Sequence, residues 1–135
     1  MPSQTTCRRV RMVTVAEGIV LVSDANYQQT VIGSPLPILI GFGARWSGAW
    51  HALEPALQVI AQKFAGRLRV ASVDCDSNWE VVKTWSVFSY PCLILLRVAE
   101  GQVTEVARRV GPRTAREILN LVESVVGERR DNDVV

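Results

Sequence analysis

A chain of 135 residues, 48% hydrophobic and 21% charged, has the length of one domain and the composition of a globular one. It is too apolar for a disordered segment, and no apolar run approaches the roughly 20 residues that span a bilayer, so a soluble protein with no membrane partner is expected. The formal charge of +2, carried by 13 Arg and 2 Lys against 13 acidic residues without a concentrated patch, gives no nucleic-acid footprint. Cys7, Cys75 and Cys92 are widely spaced and odd in number. That pattern suits neither a zinc site nor a disulfide framework, so no metal and no cofactor are expected, and free thiols fit a reducing compartment. The apolar stretch after Arg8, Arg9 and Arg11 is broken by Glu17 and Gly18, unlike an export signal, and a cytoplasmic location is expected.

Taken in order, residues 1–17 read as a loosely held extension, residues 18–126 as one domain and residues 127–135 as a polar tail. A first strand is predicted at Ile19 to Val22, then a helix capped by Ser23 or Asp24 and stopped by Gly33-Ser34-Pro35. Leu36 to Gly43 is apolar with little alternation, as in a central strand covered on both faces. A long helix follows from about Ala49 to Ala65, with Pro55 inside it as a source of a kink and Gly66 at its end. Leu68 to Asp74 reads as a strand, and Asp76-Ser77-Asn78 as the cap of a short helix over Trp79 to Trp85. Cys92 to Val98 and Val103 to Val110 form a hairpin about Ala99-Glu100-Gly101-Gln102. Thr114 to Val126 closes the chain as an amphipathic helix. The order β-α-β-α-β-α-β-β-α gives an α/β fold, three layers α/β/α around a mixed sheet of about five strands.

The stretch Ala44 to His51 joins a buried strand to a helix start, a place where free N–H groups and the helix dipole stabilise negative charge. Phe42-Gly43-Ala44-Arg45-Trp46-Ser47-Gly48-Ala49-Trp50 resembles the Phe-Trp-Ala-x-Trp-Cys-Gly-Pro-Cys of the thioredoxin family. Pro55, Val70 to Asp76, Tyr90-Pro91-Cys92, Gly101 and Val110-Gly111 match further family positions, so the resemblance covers roughly Ile19 to Val126. It implies a thioredoxin fold and a cis peptide bond before Pro91.

The resemblance also marks what is missing. Disulfide exchange needs a low-pKa thiolate at the helix start and a second thiol to resolve the mixed disulfide. Here Ser47 and Trp50 hold those two positions, with Gly48 and Ala49 between them. The family's buried Asp and its Lys partner fall at Gly41 and Ser72, and its tryptophan before Ala44 falls at Gly43. Two lost side chains and one gained indole around a single helix start imply that Trp50 fills the space above Gly41 and Gly43.

Three constellations remain. Ser47, His51 and Glu54 share helical spacing and could be read as a hydrolase triad, although no oxyanion hole beyond the helix start accompanies them. Cys92, after the proline, is either a lone reactive thiol or a small buried residue. Trp46, Ser47, Tyr90, Pro91 and Gly111 form a peptide-binding groove by resemblance, one that needs no cysteine. Trp79 and Trp85 read as packing residues, and Arg108, Arg109, Arg113 and Arg116 as a solvated basic strip. The expected function is that of a redox-inactive, thioredoxin-like module that binds a polypeptide partner as a chaperone or assembly factor. The alternative is a thiol-disulfide oxidoreductase or redox sensor working through Cys92. Oligomeric state is not encoded in any of these patterns.

Overall fold

The computed structural model describes residues 14–16 and 18–127. Its strands are β1 (Thr14–Ala16), β2 (Ile19–Val22), β3 (Ile38–Gly43), β4 (Arg69–Asp74), β5 (Cys92–Ala99) and β6 (Gln102–Val110). Its α-helices are α1 (Gly48–Lys63), α2 (Trp79–Thr84) and α3 (Ala115–Val122). The sheet runs in the order β1-β2-β4-β3-β5-β6. β2 and β3 lie parallel to β4, while β1, β5 and β6 join antiparallel, which makes the sheet mixed as expected. The sixth strand is the three-residue β1, which pairs Thr14 with Val20 and Ala16 with Ile19 at one edge, inside the stretch read as an extension. Residues 1–13 and 128–135, with Cys7 among them, lie outside the described residues.

All six residues of β3 are buried, because both faces of the sheet are covered. On one face Leu39, Leu93 and Leu95 pack against Leu53, Leu57 and Ile60 of α1 and Ile118 and Val122 of α3. On the other, Ile38, Ile40, Phe42 and Ile94 meet Val81 and Val82 of α2 and Val31. Burying each of the large aliphatic side chains stabilises the fold by about 2 kcal/mol before conformational entropy is set against it. The alternation is that of a strand: residues 39, 41 and 43 turn toward α1, residues 38, 40 and 42 toward α2. Pro55 sits within α1 without ending it, its absent N–H removing only the bond to the His51 carbonyl.

Five local expectations are corrected. The helix expected from Ser23 to Ile32 is a single π-type turn, Gln28–Ile32, closed by Gly33 N–H donating to Gln28 O at 3.0 Å. Ser23 and Asn26 bond each other's backbone in a tight turn instead (2.8 and 3.2 Å), so the local polar side chains outcompete the helix. Asp24 caps a different helix: its carboxylate accepts from the N–H of Val81 (2.9 Å) and of Glu80 (3.3 Å), at the start of α2. Asn78, the N-cap residue of α2, makes no side-chain cap bond and accepts from Asp24 N–H at 3.1 Å. The last helix is α-helical only to Val122, with a π-type turn, Glu123–Gly127, after it. Trp79 is 62% exposed under Lys83 rather than packed, whereas Trp85 packs against the core as expected and donates from Nε1 to the Tyr27 hydroxyl at 3.0 Å. Arg108 leaves the basic strip to bind Glu105 and the carbonyls of Trp85 and Ser86.

The hairpin turn follows its sequence. Glu100 and Gly101 have φ of +49° and +77°, both left-handed, as the right-handed twist of the flanking strands requires.

Candidate functional site

β3 delivers the chain to Gly43, and a turn closed by Ser47 N–H to Ala44 O (2.9 Å) redirects it into α1. Ser47 is the N-cap, extended at φ −90° and ψ 118°, and its Oγ accepts from Trp50 N–H at 3.2 Å. Serine is among the best residues for this position because its short side chain reaches the free amides of the first turn. The hydroxyl therefore stabilises the helix where a thiolate would have been held by the same N–H groups. Gly48 and Ala49 open the helix, and the space beside Gly48 is empty.

Trp50 turns inward and is only 6% exposed. A Cβ added at Gly41 would lie 2.9 Å from its Cη2 and 3.0 Å from its Cζ3, and one added at Gly43 would overlap its Cγ, Cδ2 and Cε3. The indole occupies the room left by two missing side chains, as the volumes imply.

The second wall comes from the same end of the sheet, where β5 begins beside the end of β3, Cys92 opposite Phe42. The Tyr90-Pro91 bond is cis, and Gly111 N–H donates to Pro91 O at 2.8 Å. Gly111 has φ +96°, a conformation open to glycine, which lets the chain after β6 pass close to the proline. Trp46, 70% exposed, meets half-buried Tyr90 edge to face, with ring centroids 6.4 Å apart and planes at 64°. The structure thus brings Trp46, Ser47, Tyr90, Pro91 and Gly111 to one end of the sheet.

The thiols lie beneath this surface. Cys92 is 1% exposed, and burial pushes its pKa up. Cys75 is buried too, its thiol pushed up to about 12 by burial above all, with the Tyr90 hydroxyl partly offsetting that and the charges of Asp74 and Asp76 adding to it. Raised pKa and lost access both oppose thiolate attack.

The triad spacing does not assemble. The ring nitrogens of His51 face the Arg45 carbonyl (Nε2, 2.6 Å) and the Glu54 carboxylate (Nδ1, 3.3 Å), while the Ser47 hydroxyl is bonded to Trp50 N–H. Two acceptors around one ring favour the imidazolium, so the pKa of His51 is raised, by the Arg45 carbonyl first and by Glu54 second. Among the described residues no group of three or more His, Cys, Asp or Glu side chains is placed to hold a metal ion, and no helix is long and apolar enough to cross a membrane.

A strand, a capped helix start and a cis-proline turn meeting over a mixed sheet match the sequence family found by comparison: the family model described as Thioredoxin aligns with residues 18–124. The chain belongs to the thioredoxin family. It is 36% identical over 105 residues to a thioredoxin of Mycobacterium tuberculosis, an alignment covering 78% of this chain and 87% of that protein. The thioredoxin of Haemophilus influenzae is 32% identical over 101 residues, 75% of this chain and 91% of the relative. Thioredoxin X, chloroplastic, of Arabidopsis thaliana is 25% identical over 109 residues, 81% of this chain and 59% of the relative.

Two features of this thioredoxin-family site were not singled out in the sequence. Phe88, on the loop that ends in Tyr90, is 88% exposed; an aromatic in a short loop two residues from Tyr90 was the available signal. A cleft of about 430 Å³ lies over Gly43, Trp50 and Ser72, rimmed by Arg45, Glu54 and Asp74. Its signal was the pair of small residues at 43 and 72, and Arg45 and Asp74 bridge its rim at 3.4 Å.

Proposed function

We propose that this thioredoxin-family protein is redox-inactive and binds an extended polypeptide across the cis-proline groove, as a cytoplasmic chaperone or assembly module. The observation that carries this reading is the division of labour at the helix start. Ser47 is consumed as a cap, while Trp46 stays 70% exposed against Tyr90. A serine hydroxyl cannot exchange with disulfides, but backbone pairing beside Pro91 and aromatic contacts need no thiol. The opposed reading, thiol chemistry through Cys92, is disfavoured by a sulfur that is buried and raised in pKa.

Two measurements test the proposal. With dithiothreitol present, insulin should precipitate at the uncatalysed rate; acceleration removed by Cys92→Ser would establish the thiol reading instead. Reduced, carboxymethylated α-lactalbumin, a permanently unfolded probe without free thiols, should bind by calorimetry. Trp46→Ala and Tyr90→Ala should each weaken that binding about tenfold, as central aromatic anchors do, and Trp79→Ala should not. Equal binding by all these variants would place the contact elsewhere and end the groove reading.

A further inference from the structure

A second cleft, of about 350 Å³, opens where β6, the loop after it and α3 meet. It shares none of the groove residues Trp46, Tyr90 or Pro91. Two arginines are among its lining residues, Arg109 also donating from Nη1 to Arg108 O at 2.9 Å. Arg109 comes from β6, opposite Leu93 in the β5–β6 register, and Arg113 from the loop that follows Gly111. The Arg113 Nε is buried and, among the described residues, has no hydrogen-bond partner, although its Nη2 donates to Val110 O at 3.2 Å. Arg113 as a whole is only partly buried, but a buried donor nitrogen left unpaired is unfavourable and calls for a partner.

The surroundings define that partner. Glu117 also lines the cleft, but its Oε1 already accepts from Thr114 N–H (2.8 Å) and Thr114 Oγ (3.3 Å) in the capping box of α3. The two arginines therefore leave one positive charge in excess. Planar guanidinium forks pair with oxyanions through two parallel N–H bonds, and two forks in one cleft match a group with three free oxygens better than a single carboxylate. The cleft is larger than a bare phosphate ion, lies within the size range of small-molecule sites, and has Leu93, Ile118 and Leu121 in its walls with Asn120 as a further polar group.

We propose that this cleft binds a small organic phosphate monoester, its phosphoryl oxygens held by Arg113 and Arg109 and its apolar body resting on Leu121, with the buried Leu93 and Ile118 behind it. Binding here is separate from the polypeptide groove, so either can fail without the other.

The test is calorimetry and methyl NMR on the full chain, with phenyl phosphate, inorganic phosphate and phenol as probes. Phenyl phosphate should bind saturably and about tenfold more tightly than inorganic phosphate, with phenol not binding, because both the charge and the apolar wall contribute. The shifted methyl signals should be those of Leu93, Ile118 and Leu121. Arg113→Gln and Arg109→Gln should each weaken phenyl phosphate about tenfold or more, while Arg97→Gln, at an exposed position of β5, should leave it unchanged. Far-UV circular dichroism establishes that each variant is folded, and Arg109→Gln carries the test if Arg113→Gln is not. The proposal is overturned by any of three results: no saturable phosphate binding, parental affinity in folded Arg113→Gln and Arg109→Gln, or phenol binding as tightly as phenyl phosphate.

Discussion

If the Trp50 indole occupies the space above Gly43, substitutions at the two positions cannot act independently. Trp50→Ala removes a side chain that is 6% exposed and belongs to the core cluster of Leu53 and Leu57, and should cost about 3–5 kcal/mol. Gly43→Ala adds one methyl group, and that methyl would overlap Cγ, Cδ2 and Cε3 of the ring. The ring already lies close over Gly41, its Cη2 only 2.9 Å from where a Cβ there would stand, and accommodating the new methyl means shifting a buried indole, so Gly43→Ala should cost about 1–3 kcal/mol through strain. Taken separately, the two changes sum to about 4–8 kcal/mol. In the double variant the methyl lies in vacated space, so its loss should be no greater than that of Trp50→Ala alone, a coupling of about 1–3 kcal/mol. Urea unfolding followed by circular dichroism resolves this: at about 2 kcal/mol per molar urea, Trp50→Ala moves the midpoint by about 2 M. Additivity within about 0.5 kcal/mol, or a neutral Gly43→Ala, would refute the account of why this chain has glycine at 43.

Further predictions rest on single residues. In native protein at pH 8, Cys75 and Cys92 should resist maleimide and react only after denaturant is added, because both are buried and raised in pKa; peptide mapping reports each site. His51, the only histidine, should titrate by NMR above the ordinary value of about 6.5, and Glu54→Gln should lower its pKa. Since the folded pKa is the raised one, the stabilisation from its two acceptors is full below about 6.5 and is lost as pH rises through the folded value. Glu100→Asn should raise stability by about 0.5–1 kcal/mol in thermal unfolding, because φ +49° is left-handed and asparagine tolerates it better than glutamate.

The architecture was legible because it rests on periodicities the chain displays openly. Ile38 to Gly43 is apolar throughout and is buried throughout, and Leu53, Leu57 and Ile60 repeat at helical spacing and face one layer. Trp50 was legible through volume, since two absent side chains at 41 and 43 leave room only a large residue fills. What escaped prediction depends on contacts distant in sequence. Ser23 and Asp24 look like caps for the segment that follows them, and nothing nearby shows that Asp24 instead serves Glu80 and Val81. Trp79 shows the same limit, because a tryptophan on a short helix gives no local sign of which side faces solvent. Ser47, His51 and Glu54 had the right spacing for one face, but spacing does not reveal that the Arg45 carbonyl and Trp50 N–H claim their hydrogen-bonding atoms.

The carboxylate of Asp24 also decides how the molecule opens. The first amides of a helix normally exchange with solvent freely, and a six-residue helix has too few bonds to hold itself together. In α2 the amides of Glu80 and Val81 are bonded to the side chain of a residue just beyond β2, a contact between strand and helix that slows their exchange. Those two protons should therefore be retained as long as those of β2, and the pair should behave as one unit in native-state exchange. Asp24→Ala would free them first, leaving the interior of β3 and β5 protected as before.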